Sequence, residues 1–200
     1  MKQVWKSTAM GIVYSLIIMM VASILTAFTA AATAVTAFIS SSAAGGFGFL
    51  TVIFLLAMVG GFVWFFLNLS KFITLQRSDS DRTAISNVRT AYILFIAGTL
   101  LGLIPVAGIF INLICQIVAY VLLIIAYGNF ANSPFMNEEG RSGASLLKTA
   151  AIINVICSVL MIIPIINILA MIGSIVALVL LFLGWTKVSN GYKEEEMVQI

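Results

Sequence analysis

Charge is confined to four segments of this chain. Its ten lysines and arginines and seven aspartates and glutamates fall within Met1–Ala9, Leu69–Thr90, Asn129–Thr149 and Lys187–Ile200, and the stretches between them carry none. A water-soluble fold spreads charge over its whole surface, so uncharged runs of this length point to lipid as the solvent. Composition agrees: 62% of the residues are hydrophobic and 8% charged, with a mean hydropathy of +1.17. A soluble domain of 21.5 kDa cannot bury that much apolar surface. The basic excess lies beside apolar runs, where it orients spans rather than grips nucleic acid, and no nucleic-acid partner is expected.

A transmembrane helix needs about 20 apolar residues, because every backbone group must find its hydrogen bond inside the hydrocarbon. Six segments qualify, near Gly11–Ser40, Phe49–Leu69, Thr90–Ile104, Ala107–Tyr127, Ala150–Ile163 and Ile166–Trp185. The third and fifth are short. Each leads into a turn with an Ile-Pro step, Ile104-Pro105-Val106-Ala107-Gly108 or Ile163-Pro164-Ile165-Ile166-Asn167, where proline disfavours helix in the residue before it. An alternative with four spans treats these two regions as bent or re-entrant elements.

The expected fold is therefore an all-α integral membrane protein with six transmembrane helices in three helical hairpins. One polytopic domain covers 1–200, with hairpins at 1–72, 86–129 and 145–188 and a tail at 189–200. Both termini and both charged loops then share one side, facing short uncharged turns that include Ser40-Ser41-Ser42-Ala43-Ala44-Gly45-Gly46. The positive-inside rule makes that side cytoplasmic, giving cytoplasmic N and C termini and a prokaryotic inner (plasma) membrane location. Trp5, Tyr127 and Trp185 fall near the charged ends, where amphipathic rings favour the headgroup layer. Lys2 and Lys6 before an apolar run, with small residues at Thr29–Ala34, resemble a secretory signal, but the run is too long and an uncleaved first span is expected. At about 30 residues that span exceeds bilayer thickness, and it should tilt or project.

Aligning Pro105 with Pro164 superposes Arg89-Thr90-Ala91 on Lys148-Thr149-Ala150 and Ile93 on Ile152, which suggests that the last two hairpins are duplicates. Lys6-Ser7-Thr8-Ala9 opens the first hairpin similarly. Copies in the same orientation lack the inverted symmetry of many secondary transporters. Small residues recur at close-packing intervals: Gly98 with Gly102, Ala57 with Gly61, and Thr26, Ala30 and Ala34. Packing within the monomer is favoured over dimerisation as the role of the face at Gly98 and Gly102.

No ionisable side chain falls inside a proposed span, and the chain has no histidine. Proton relays, haem ligation and zinc chemistry are disfavoured, and no catalytic residue, metal or cofactor is expected. The polar residues at depth are neutral. Asn112, Cys115 and Gln116 share one helical face, and with Asn154 and Ser174 they form either a polar pore lining or, more simply, an interhelical hydrogen-bonded cluster. Cys115 and Cys157 belong to no CxxC motif and read as small hydrophobes. In the loops, Ser78–Thr83 and Asn137–Ser142 read as helix caps, a simpler account than a phosphate or metal site at Asp79, Asp81, Glu138 and Glu139. The segment Lys193-Glu194-Glu195-Glu196 reads as a solvated end. The functional expectation is a noncatalytic structural or accessory component of a membrane assembly, in contact with lipids and with itself or another membrane protein. A channel or carrier for a neutral or lipophilic solute is the alternative, and an enzyme is not expected.

Overall fold

The computed structural model describes residues 1–37, 41–102, 104, 107–160 and 167–193. It is all-helical among these residues, apart from one isolated bridge between Met136 and Tyr192. The elements are α1 (Lys2–Ala37), α2 (Ser41–Thr74), α3 (Asp79–Leu101), α4 (Ala107–Ala131), α5 (Glu138–Leu160) and α6 (Asn167–Ser189). All six are long and apolar enough to cross a membrane, and the chain is a membrane-spanning, multi-pass protein. Pro105 and the segment from Ile163 to Ile166 lie outside the described residues, as does the tail from Glu194.

Several boundaries differ from those read off hydropathy. α3 begins at Asp79 rather than near Thr90, and α5 at Glu138 rather than near Ala150. Hydropathy marks where lipid begins, whereas a helix begins where a cap satisfies its first amides. Ser78 accepts the Asp81 amide at 2.9 Å, and Asn137 Oδ1 accepts the Gly140 amide at the same distance. Acidic residues fill both first turns, where the helix dipole favours negative charge. The stretch Ser41–Gly46, expected as a turn, belongs instead to the first turns of α2. At roughly 1.5 Å per residue the 36 residues of α1 and 34 of α2 extend about 54 and 51 Å, well beyond a hydrocarbon core of about 30 Å.

The chain forms two compact units, Gly11–Asn68 and a larger one made of Met1–Met10 with Leu69–Ile200. In the smaller unit α1 and α2 run antiparallel. Gly61 meets Met19, Gly11 meets Asn68, and the Thr29 and Thr51 hydroxyls lie 2.9 Å apart across the seam. In the larger unit α3 packs on α4, α4 on α5 and α5 on α6. Gly98 lies against Asn112 and Cys115, and Phe95 stacks edge-on to Tyr120 at 4.8 Å. Between α5 and α6 the backbones themselves touch. A Cβ on Gly143 would stand 2.6 Å from the Gly184 carbonyl oxygen, and one on Gly184 would stand 3.0 Å from that of Gly143.

The two charged-end helices of this unit bury corresponding positions. On α3 these are Asp81, Ala84, Ile85, Val88, Ala91 and Gly98, and on α5 Gly140, Gly143, Ala144, Leu147, Ala150 and Cys157 are among those buried. Each of these α5 residues follows its α3 counterpart by the same interval, as Gly140 follows Asp81 (140 − 81 = 59). Helix starts, helix ends and the capping residues Ser78 and Asn137 keep that interval.

Gly143→Ala is expected to destabilise the protein by about 1–3 kcal/mol, the range for overpacking against atoms that cannot move aside. Gly60→Ala, where an added Cβ would meet nothing within 4 Å, should change stability by less than about 1 kcal/mol. Denaturant titration in detergent micelles, followed by circular dichroism, compares the two.

Candidate functional site

The neutral polar residues at depth go to different places. Gln116 Nε2 donates to Asn112 Oδ1 at 3.2 Å along one face of α4, and Asn112 also fills the space beside Gly98 and Gly102. The small face of α3 thus receives an α4 side chain of the same molecule. Ser174 donates back to the Ala170 carbonyl of its own helix at 3.0 Å, satisfying its hydroxyl without a neighbour. Cys115 and Cys157 are free thiols, seated against Gly98 and Gly173. No hydrogen bond joins Asn154 to Asn112 or Gln116. Asn154 instead lines a cavity of about 250 Å³ with Tyr92, Phe95, Tyr120, Tyr127 and aliphatic side chains.

At the charged end of the larger unit, side chains close a hydrogen-bonded cap. Asp81, buried at the start of α3, accepts from the Ser133 hydroxyl at 2.6 Å. Arg141 Nε donates to the Ser133 carbonyl at 2.9 Å. The Asn137 amide donates to Gly191 O at 3.0 Å and its carboxamide to Asn190 O at 2.9 Å, which ties the start of α5 to the end of α6. Asn190 in turn donates to Glu139. Arg77 donates to the Tyr192 hydroxyl, with its guanidinium 5.1 Å from the ring centroid. The Trp5 indole N–H donates to the Val188 carbonyl at 2.8 Å across 183 residues of sequence.

Beneath the cap, aromatic rings pack together. Phe72 meets Trp5 at 4.6 Å, Trp185 at 5.9 Å and Phe130 at 6.2 Å, and Trp185 meets Tyr127 at 6.3 Å. Trp5, Tyr127 and Trp185 are all buried. These rings stand at the charged end as expected, but they face one another rather than lipid headgroups, because a contact with another ring adds to the area it removes from solvent. The acidic residues named for a phosphate or metal site diverge: Asp79 pairs with Arg82 at the surface, Asp81 with Ser133 and Glu139 with Asn190. Among the described residues no group of three ligating side chains could hold a metal.

Hydropathy reading missed the cap partners Ser133 and Arg141, the Gly143–Gly184 crossing and the tyrosines of the cavity. The available signal was the 59-residue interval, which sets Tyr92 opposite Ala151 and Phe95 opposite Asn154 as counterparts. The chain matches no protein-family model, no curated protein and no solved structure at a significant level.

Asp81→Ala removes a buried hydrogen-bond partner and should cost about 1–3 kcal/mol. Combined with Ser133→Ala it should cost clearly less than the two single changes added together, in a double-mutant cycle read by chemical unfolding in micelles.

Proposed function

We propose that this chain is a noncatalytic component of a membrane assembly, embedded through three helical hairpins and docking a further transmembrane helix on α2. The observation that carries this reading is the outer face of α2. Phe49, Ile53, Leu56, Gly60, Val63 and Leu67 alternate at spacings of four and three residues and are all exposed, which makes one continuous helical stripe. At its centre Gly60 has open space above it, whereas its neighbour Gly61 is closed against Met19 and Ile18. Lipid tails provide no hydrophobic drive between helices, so association in a bilayer depends on close approach at small residues. Gly60 offers such an approach to a helix outside the α1–α2 pair.

Duplication of the last two hairpins belongs to the same reading. It is supported by the shared interval between helix ends, capping residues and buried positions of α3 and α5. The location follows from charge: the basic residues gather at the helix ends that form the cap, which favours cytoplasmic termini in an inner membrane. A carrier for a neutral lipophilic solute is the second reading, and the observation that favours it is Asn154 in the cavity.

Native mass spectrometry of the chain, extracted from its own membrane in a mild detergent, tests the docking face. The wild-type chain should carry a stoichiometric second protein or a second copy. Gly60→Leu should lose it while unfolding as wild type does, and Gly61→Leu should weaken the α1–α2 pairing itself. A wild-type chain recovered alone, or a complex unchanged by Gly60→Leu, would overturn the reading.

A further inference from the structure

The cavity between α3, α4, α5 and α6 is walled unevenly. Tyr92, Phe95, Tyr120 and Tyr127 present aromatic rings from α3 and α4, while Leu147, Ala151, Asn154 and Leu181 complete it from α5 and α6. Its origin is visible in the counterpart positions. Where α3 carries Tyr92 and Phe95, α5 carries Ala151 and Asn154 at the same 59-residue interval. Two bulky rings therefore face one small and one polar side chain, and space remains that a matched pair of apolar residues would fill.

Two polar groups border this space. The Tyr127 hydroxyl is fully buried at its edge, within reach of the Tyr92 hydroxyl and the Trp185 indole N–H. The Asn154 carboxamide faces the same cavity with no hydrogen-bond partner among the described residues. An amide or hydroxyl in an apolar surrounding is costly until it is hydrogen-bonded. No lining residue carries a charge, which disfavours an ionic occupant.

We propose that this cavity binds a neutral aromatic molecule bearing a hydrogen-bond-accepting oxygen, such as an aryl ketone or the ring of a lipophilic membrane compound. The rings of α3 and α4 flank its face, and the Asn154 carboxamide donates to its oxygen. Size sets a limit. A cavity of about 150 Å³ holds benzene, so this one accommodates on the order of ten heavy atoms. The site goes beyond the assembly reading and does not depend on it, since it uses no residue of α2.

The test uses 4-fluoroacetophenone, a neutral aromatic ketone, followed by fluorine NMR with the full chain in nanodiscs; empty nanodiscs provide the background. Saturable binding is expected, with 1-ethyl-4-fluorobenzene, which lacks the oxygen, binding about five- to tenfold more weakly. Asn154→Leu should remove that preference by weakening the ketone alone. It should also raise the melting temperature of the ligand-free protein, since an unpartnered amide is replaced by an apolar group of similar size. Ala151→Phe should abolish binding of both compounds. If saturable binding is absent, if Asn154→Leu leaves the preference intact, or if it lowers the melting temperature as loss of a structural amide would, the proposal fails.

Discussion

The contact between the Gly143 and Gly184 backbones is the constraint on which the larger unit turns. Lipid is as apolar as leucine, so helices gain little by hiding leucines from it, and cohesion must come from dense packing and polar contacts. Dense packing needs surfaces without protruding side chains. The buried faces of α3 and α5 provide this with alanine and glycine, interrupted by Ile85, Val88 and Leu147 as single larger knobs. Many leucines, isoleucines and phenylalanines elsewhere point outward, while Ile12, Phe65, Leu69, Phe72 and Phe130 are buried. Small residues at the α3 and α5 seams and large apolar residues on the outward faces both follow from the solvent rather than from any special sequence.

The charged end obeys different rules, because water competes there for the exposed hydrogen bonds. Arg141 and Asn137 reach water, whereas Asp81 and Ser133 are buried against each other. They are ordered by the rings beneath them, which remove enough apolar area to hold the segments together. Cap and aromatic layer thus depend on one another. The rings fix where the loops lie, and the loop hydrogen bonds satisfy backbone groups that the rings would otherwise leave buried and unpaired.

Six apolar helices were legible in the sequence because span length and charge segregation are both imposed by the bilayer. Helix ends were less legible. Ser78 and Asn137 start their helices well outside the apolar runs, since capping is local chemistry and hydropathy averages over many residues. The four polar residues at depth were visible individually, yet their partners were not. Ser174 bonds to its own helix and Asn112 to Gln116 one turn along α4, and both choices depend on rotamers that spacing alone leaves open. The tyrosines around Asn154 were harder still, because an aromatic residue in an apolar run reads as packing until the opposite wall is known.

The hydrogen bond from Trp5 to Val188 joins the first turn of α1 to the last turn of α6. During synthesis the indole enters the membrane interface when every segment of its eventual binding place is still unmade. The aromatic layer cannot be completed until α6 has been inserted, so α1 waits through the synthesis of the helices between them. Any quality control that senses an unsettled Trp5 would in effect be reading whether α6 has arrived.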